Sequence, residues 1–209
     1  MRLQYLVQSI LAPILNLVQQ FQQKAADLVS GFQGNAQNLL LNITNAFDSL
    51  RDRINQALTT LKSKGQSIFT CFTSETQNVS AVIQEGEQEA VTCATNITSQ
   101  AKPYINNFFN TTKEVIDLAT ALIPSIVQCA SQANPVTTPI CLASAILPKL
   151  AEITQVAKDV PAEFQNLQEG INVLQPQLQN CGDLFKATAN KAGALVQEVE
   201  TCVKTVISS

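Results

Sequence analysis

The chain has 209 residues and a formal net charge of −3, and only 14% of its residues are charged. That length allows one domain or two with a real core, and the lack of a basic excess argues against a nucleic-acid partner. The sequence contains no His and no Trp, so the commonest general base and the commonest metal ligand are both missing. We therefore expect no metal, no cofactor and no enzymatic activity.

The first third of the chain predicts two amphipathic helices. One covers about residues 3–30, with Pro13 as a kink and Gly31 and Gly34 as its end. The next covers about residues 35–63 and stops at Gly65. Apolar residues recur in both at steps of three and four, which is typical of a helix packed along one face. These seams are Leu3, Val7, Ile10, Ile14, Leu17, Phe21, Leu28 and Phe32, then Ala36, Leu40, Ile43, Phe47, Leu50, Ile54, Ala57 and Leu61.

The middle of the chain continues the pattern. A third helix is expected over about 66–100, and a fourth begins at Pro103, which suits a first helical turn. Asn134–Pro139 is the strongest turn signal, and Thr138 can cap a fifth helix that runs to about Lys158. The three seams are Ile68, Phe72, Val79, Ile83, Ala90 and Ile97; Ile105, Phe108, Thr112, Val115, Ala119, Leu122, Ile126 and Cys129; and Ile140, Ala143, Leu147, Leu150, Ile153 and Ala157.

The last forty residues carry the longest seam of the chain, which Pro176 and Gly182 bend or split without changing its register. It comprises Phe164, Leu167, Ile171, Leu174, Leu178, Cys181, Phe185, Thr188, Ala192, Leu195, Val199, Cys202 and Val206. The whole pattern predicts an all-α fold, a bundle of six to seven amphipathic helices stapled by disulfides. We expect a single domain over residues 1–209, in which helices 1 and 2 (about 1–63) lie outside the stapled part, 66–207.

Six cysteines allow fifteen pairings, and helix geometry removes most of them. In one helix Cys181 and Cys202 would lie about 31 Å apart, at 1.5 Å per residue. A disulfide joins Cα atoms within about 7 Å, so these two cannot pair. Cys71 and Cys93 are separated by the same argument unless the chain reverses at Gly86, and that alternative stays open.

The spacing of the cysteines predicts their partners. Two antiparallel helices whose cysteines are 22 and 21 residues apart would bring both pairs into register at once. A third pair then closes across the predicted turn. The predicted disulfides are Cys71–Cys202, Cys93–Cys181 and Cys129–Cys141.

Four N-glycosylation sequons accompany the cysteines and favour the secretory pathway. The acceptor residues are Asn42, Asn78, Asn96 and Asn110. We expect a secreted, extracellular glycoprotein whose leader was removed before Met1, because Leu3–Val18 lacks a small-residue cleavage site and fits a helix seam better. No apolar run reaches the about 20 residues of a membrane span, so no transmembrane segment is expected.

The cysteine series Cys71-Phe72, Cys93, Cys129, Cys141-Leu142, Cys181 and Cys202 resembles an insect family of secreted, cysteine-stapled helical proteins. That family includes the N-terminal region of the tsetse midgut EP protein, and the resemblance covers roughly residues 66–207. The 27-kDa haemolymph glycoproteins of insects are also similar in size, helicity and glycosylation. Neither group implies a catalytic activity.

Three classes of function can be compared with the sequence: an enzyme, a ligand-binding protein and a structural or surface-active protein. Glu85, Glu87 and Glu89 could suggest paired catalytic acids, but a solvated helix face explains them better. Amphipathic helices with small seam residues can enclose a lipid or other hydrophobic ligand, and this is the leading hypothesis. The alternative is a structural or surface-active protein that forms homo-oligomers or acts at an interface, with Leu3–Val18 as the candidate segment.

Overall fold

The computed structural model describes residues 2–72, 78–131 and 137–208. All regular structure among them is helical, which confirms the all-α prediction. Three long helices account for most of the chain: α1 (Arg2–Ser63), α2 (Val79–Ser131) and α4 (Leu147–Ser208). Three short pieces lie between them: a 3-10 turn (Ile68–Thr70), the helix α3 (Thr137–Cys141) and a π-helical turn (Leu142–Ile146).

The prediction of six to seven helices is wrong, because several expected breaks lie inside continuous helices. Gly31 and Gly34 are in α1, Pro103 is in α2, and Lys158, the predicted end of the fifth helix, is in α4. An interior glycine costs a helix about 1 kcal/mol and an interior proline about 3 kcal/mol. Apolar side chains are buried on both sides of these positions, as Phe32 and Ala36 are beside Gly34, and their burial offsets those costs.

Gly65 ends α1 as predicted. Its φ of 67° lies in the left-handed region that glycine adopts without a Cβ penalty. The Gly65 amide donates to the Lys62 carbonyl at 3.1 Å, and the Gln66 amide donates to the Leu61 carbonyl at 3.0 Å. This pair of bonds is a Schellman motif, which satisfies the last carbonyls of the helix.

Continuity also shifts the register of the first seam. Leu11, Val18 and Ala25 are buried, whereas the predicted seam residues Ile10 and Leu17 are exposed. The second seam runs from Ala36 to Leu61. The buried positions before it are in phase with it, since they are spaced by three, four or seven residues. A single helix keeps one phase, so the strong second seam decides which residues before it face the core. Three predicted seam residues, Leu3, Val7 and Ile68, have side chains outside the described part.

The chain forms two compact units. Unit 1 comprises Met1–Gly31 and Ala101–Val173, and unit 2 comprises Phe32–Gln100 and Leu174–Ser209. Each long helix contributes one segment to each unit. The prediction of a single domain over 1–209 stays a prediction.

The core of unit 2 is built from the predicted seams of α1, α2 and α4. Ile43, Phe47 and Leu61 from α1 are fully buried with Ile83 from α2 and Val199 from α4. The ring of Phe47 meets the ring of Phe185 edge-on, with centroids 5.9 Å apart. Most of the seam positions predicted here for residues 36–61, 79–97 and 174–206 are buried or half-buried.

The core of unit 1 contains an aromatic cluster. Phe164 of α4 contacts Phe21 of α1 and Phe108 of α2, with ring centroids 5.2 Å and 6.0 Å apart. Beside this cluster the Gln22 amide donates to Thr112 Oγ1 at 3.1 Å, and that hydroxyl donates to the Phe109 carbonyl at 3.0 Å. The fully buried Thr112 hydroxyl therefore keeps both hydrogen bonds.

The start of the long C-terminal helix departs from the predicted seam. Ile146, Leu150 and Ile153 are buried, but the predicted seam residues Ile140 and Leu147 are exposed. Ala143 is exposed as well. A π-helical turn holds about one residue more than an α-helical turn, so it rotates the residues before it by about 100°. The turn at 142–146 therefore moves Ile140 away from the core.

In unit 2, Gly86 of α2 marks a close approach of the three long helices. A Cβ at this position would overlap Thr188 Cγ2 and lie 3.2 Å from the Phe47 ring. By contrast, no side chain lies within 4 Å of a Cβ built on Gly31.

We expect Gly86→Ala to lower the free energy of unfolding by about 1 kcal/mol, because overpacking of 1–3 kcal/mol exceeds the gain in helix propensity. Adding Thr188→Ser removes the overlapping methyl group and should restore stability. Gly31→Ala is the matched control and should stabilise by about 0.5–1 kcal/mol. Urea unfolding of the four proteins measures this, and a stabilising Gly86→Ala would contradict the close packing.

Candidate functional site

Three disulfides join the helices, and their connectivity is the predicted one. Unit 2 contains Cys71–Cys202 and Cys93–Cys181, with Cα atoms 5.5 Å and 5.7 Å apart, and unit 1 contains Cys129–Cys141 at 5.6 Å. The alternative reversal at Gly86 does not occur, because α2 passes through this residue. One detail differs from expectation: Cys71 precedes α2 and follows the 3-10 turn instead of lying on a helix. The expected turn at Asn134–Pro139 begins outside the described residues, which resume at Thr137.

All four sequon asparagines are exposed. Asn42 lies on α1, Asn78 directly precedes α2, and Asn96 and Asn110 lie on α2. Each position is therefore open to a glycan. The hydroxyl of the last sequon, on Thr112, is buried in the core of unit 1, so it would be accessible to a modifying enzyme only before folding.

The acidic residues of α2 face solvent or an arginine of the neighbouring helix. Glu87 is bonded to Arg51 of α1, which also contacts Asp48, and Glu85 and Glu89 are exposed. Within the described residues, no group of three Cys, Asp or Glu side chains could hold a metal ion.

A groove in unit 2 lies between α1 and α2. Its volume is about 710 Å³, it is open to solvent, and ionic and amide side chains line much of it, among them Arg51, Asn55, Gln84 and Glu87. Ile54 and Ile83 form part of its floor. Such a lining suits polar groups better than an alkyl chain, so this groove is a poor site for the expected hydrophobic ligand.

A second ion pair, which the sequence analysis did not predict, joins α1 to α4 in unit 2. Arg53 Nε and Nη2 donate to the two carboxylate oxygens of Glu200, each at 2.8 Å. The hydrogen bonds from Arg53 are the main reason that the pKa of Glu200 lies below its ordinary value. Both side chains keep about a third of their surface exposed, so solvent screens the pair and it contributes about 1 kcal/mol or less.

We expect Glu200→Gln to destabilise the protein slightly at neutral pH and to have no effect in acid. A lowered pKa in the folded state stabilises above the ordinary value of 4.5 and loses that effect as the pH falls through the folded value. Urea unfolding at neutral pH and at a pH low enough to protonate the folded carboxyl measures both differences. An equal loss at the two pH values would show that the pair does not stabilise through its charge.

One end of unit 1 lacks charge. No charged residue occurs between Asp117 and Lys149 in the sequence. We call the described part of this stretch, residues 118–131 and 137–148, the charge-free end. The Cys129–Cys141 disulfide joins its two halves, and Lys149 Nζ donates to Ser125 Oγ at 3.2 Å at its border.

The charge-free end exposes large apolar side chains. Ile123 and Val127 of α2 are 55% and 63% exposed, and Ile140 and Leu147, on either side of the π-helical turn, are 62% and 52% exposed. Val127 and Ile140 each lie next to the disulfide in sequence, at two residues and one residue from its cysteines. Ile123 and Val127 are four residues apart and therefore lie on the same face of α2, and neighbouring exposed apolar side chains of this kind commonly mark a contact surface.

Three hydroxyl groups of the charge-free end are bonded to their own helices. Thr120 Oγ1 donates to the Ile116 carbonyl, Ser144 Oγ to the Ile140 carbonyl, and Ser131 Oγ to the Gln128 carbonyl, each at 2.8 Å. A hydroxyl that donates inside its helix loses less on leaving water than a free one. These three hydroxyls can therefore leave water with their donors satisfied.

The helices that contain the charge-free end are also apolar in composition. Both Val79–Ser131 and Thr137–Ser208 contain an 18-residue stretch apolar enough to cross a membrane, of which 22% is buried in the protein. Core helices of folded domains meet the same criterion, so these stretches do not by themselves identify a span. The expectation that no segment spans a membrane stays a prediction.

The interfacial segment predicted from the sequence, Leu3–Val18, lies outside the charge-free end. There, Leu11 and Val18 are buried and Ile10, Leu15 and Leu17 are 36–38% exposed, less than the side chains of the charge-free end. The signal that could have revealed the charge-free end was the gap in charge from Asp117 to Lys149, visible in the sequence. Its exposure could not be predicted, because the seam positions Ile140 and Leu147 were expected to be buried.

Comparison with known proteins yields one family. No curated protein and no solved structure matches the chain significantly. The model of one family, described as protein of unknown function (DUF725), matches residues 67–184, which include five of the six cysteines and the charge-free end. Because the match covers more than half of the 209 residues, the chain belongs to the DUF725 family.

Proposed function

We propose that this protein is a secreted, non-enzymatic helical glycoprotein that binds lipid or another hydrophobic molecule. The observation that carries the proposal is the charge-free end, where Ile123, Val127, Ile140 and Leu147 expose apolar surface beside a disulfide. The polar lining of the groove between α1 and α2 favours binding at this surface over binding inside that groove.

Three disulfides and four exposed sequons support secretion. Disulfides persist in oxidising compartments, and the structure is consistent with an extracellular protein. The exposed asparagines leave room for glycans at each site. The resemblance to secreted insect proteins with six cysteines is part of the same proposal.

Extraction of the native protein tests the binding function. The protein is purified from its secreting cells without detergent, extracted with organic solvent, and the extract is analysed by mass spectrometry. We expect a lipid or other hydrophobic compound in a constant ratio to protein, above the amount recovered with a glycoprotein of similar size. No enrichment would contradict the proposal. Deglycosylation with a peptide N-glycosidase should reduce the apparent mass, and an unchanged mass would exclude the glycoprotein part.

Self-assembly is the second candidate function. The same exposed apolar side chains could be covered by a second copy of the chain, which would make the protein a homo-oligomer. Size-exclusion chromatography with light scattering distinguishes the two. A stable oligomer that dissociates on Val127→Asp would favour assembly, whereas a monomer at all concentrations would remove it.

A further inference from the structure

We propose that the first N-acetylglucosamine of a glycan on Asn42 lies in a groove between α1 and α4 of unit 2, where it binds the protein to which it is attached. This inference rests on the glycosylation that the proposed function includes, and it names the occupant of one groove: the carbohydrate of the chain itself. Bound there, the sugar joins two helices and covers apolar side chains that the fold leaves half-buried.

The groove is one depression with a wall from each helix. Asn35, Leu39 and Asn42 line it from α1, at steps of four and three residues that place them on one face. Gly182 lies opposite on α4, and a Cβ built on this glycine would lie 3.5 Å from Leu39 Cδ1. The two helices therefore meet at the floor of the groove, and the absence of a side chain at Gly182 leaves room above it. The volume of about 540 Å³ is open to solvent and is larger than one sugar ring.

The attachment point is aimed into this groove. Asn42 is exposed, lines the groove and begins the sequon Asn42-Ile43-Thr44. Side chains of a helix lean toward its N-terminus, so the Asn42 carboxamide lies over the turn that carries Leu39. A sugar joined to the nitrogen of this carboxamide therefore begins inside the groove and not in open water.

The sugar arrives by transfer from a lipid-linked diphosphate donor of the secretory pathway. The Asn42 side-chain nitrogen forms a bond to C1 of the N-acetylglucosamine, the bond from C1 to the diphosphate oxygen breaks, and the amide loses one proton as the diphosphate leaves. Ile43, the middle residue of the sequon, is fully buried in the folded protein. A transferase needs the three residues free of the core, so the sugar is in place before α1 and α4 pack together.

The lining of the groove matches the two kinds of surface that a sugar has. Gln175 and Gln179 of α4 place carboxamides in the groove, and a carboxamide both donates to and accepts from hydroxyl and acetamido groups. Leu39 and Phe185 are half-buried, so they offer apolar surface to the C–H groups of the ring and to the acetamido methyl. The Phe185 ring also meets the Phe47 ring of the core, which holds it in position.

Attachment selects this occupant over a ligand from solution. A group held by a short link has a high effective concentration at its site, so weak contacts are enough to keep it there. The charged side chains of the groove, Asp183 and Lys186, pair with each other, with Lys186 Nζ 3.5 Å from Asp183 Oδ1. Because these charges compensate, the groove suits an uncharged sugar better than an ionic ligand.

The other sequons lack a groove with two helical walls of this kind. Asn96 and Asn110 line grooves formed almost wholly by α2, so a sugar there would contact mainly one helix. Asn78 is exposed directly before α2 and lies outside the groove of Asn42. Asn78 is therefore the control site, because its glycan can be removed without changing that groove.

Nuclear Overhauser spectroscopy of the full-length secreted protein tests this inference directly. The purified protein is trimmed with an endoglycosidase that leaves one N-acetylglucosamine on each glycosylated asparagine, and the sugar of Asn42 is assigned through the side-chain amide proton to which it is bonded. We expect cross-peaks from the acetamido methyl or ring protons of that sugar to the Leu39 methyl groups or the Phe185 ring. This measurement uses the natural chain, so it does not depend on the secretion of any variant.

Removal of the sequon tests the stabilising effect. Thr44→Val prevents attachment at Asn42 and replaces an exposed side chain by one of similar shape and helix propensity. We expect its Tm to lie about 2–4 °C below that of the natural protein, the shift for the loss of one ordinary contact in a chain of this size. Ser80→Val, which removes the glycan of Asn78, is the matched control and should shift the Tm by less than about 1 °C.

Three results would overturn the inference: no cross-peaks from the Asn42 sugar to the groove, a Tm that Thr44→Val leaves unchanged, or an equal fall in Tm for Thr44→Val and Ser80→Val. Glycopeptide mass spectrometry separates this failure from that of the proposed function. If Asn42 carries a glycan that makes no contact with the groove, this inference fails and the proposed function stands. If Asn42 carries no glycan, this inference fails together with the glycosylation proposed for that site.

Discussion

Replacing Cys71 and Cys202 by serine is expected to lower the free energy of unfolding by about 4 kcal/mol. With Cys93–Cys181 in place, this disulfide closes a ring formed by the 22 residues from Cys71 to Cys93 and the 21 residues from Cys181 to Cys202. In the chain-entropy account, a ring of that size restricts the unfolded chain by about 4 kcal/mol.

The short disulfide is the control for this prediction. Cys129–Cys141 spans 12 residues, and its removal by a double serine variant should cost about 3 kcal/mol on the same account. Urea unfolding of both double variants and the natural protein, under conditions where the other disulfides stay oxidised, gives the two losses. A smaller loss for the Cys71–Cys202 pair than for the Cys129–Cys141 pair would contradict the role of loop length.

Phe47→Ala is expected to lower the free energy of unfolding by about 3–5 kcal/mol, the usual range for a fully buried phenylalanine. Phe47 has no exposed surface, meets the Phe185 ring, and lies beside Gly86 at the crossing of three helices. Removal of the ring leaves a cavity where helices from three parts of the chain meet, and the disulfides limit how far they can collapse into it.

Phe69→Ala is the same substitution at an exposed position. Phe69 is 70% exposed in the 3-10 turn, so its loss should change stability by less than about 0.5 kcal/mol. Thermal and urea unfolding of both variants give the comparison. A loss at Phe47 no larger than the loss at Phe69 would show that the core of unit 2 is not packed around this ring.

The disulfide connectivity could be predicted from the sequence because a helix fixes distance along the chain. Two antiparallel segments with separations of 22 and 21 residues bring both pairs into register at once, and these are the pairs that form. The predicted connectivity is therefore correct although two related predictions were wrong: Cys71 is not on a helix, and α2 begins at Val79 instead of near residue 66. The spacing of the cysteines along the chain was sufficient to predict the disulfide partners, and the exact ends of the helices were not needed.

Helix boundaries could not be predicted in the same way. Gly31, Gly34 and Pro103 are local signals of a helix end, and only Gly65, with its left-handed conformation, ends a helix as predicted. Local helix propensity decides where a helix ends only if the ended and the continuous helix bury about the same apolar surface. Where a seam such as that from Val29 to Ala36 continues across the glycine, burial outweighs the local cost.

By itself the sequence determined the fold class, the partners of the six cysteines, most of the seams that form the two cores, and the stretch without charge. Each of these depends on spacing or composition alone. The tertiary structure decided which apolar residues stay outside. Ile140 and Leu147 satisfy a helical spacing, but the π-helical turn rotates Ile140 away from the core and Ile146 takes the buried position. The charge-free end became a candidate surface only when the structure showed that Ile123, Val127, Ile140 and Leu147 are exposed, because periodicity assigns residues to one face and cannot reveal which of them a neighbouring helix covers.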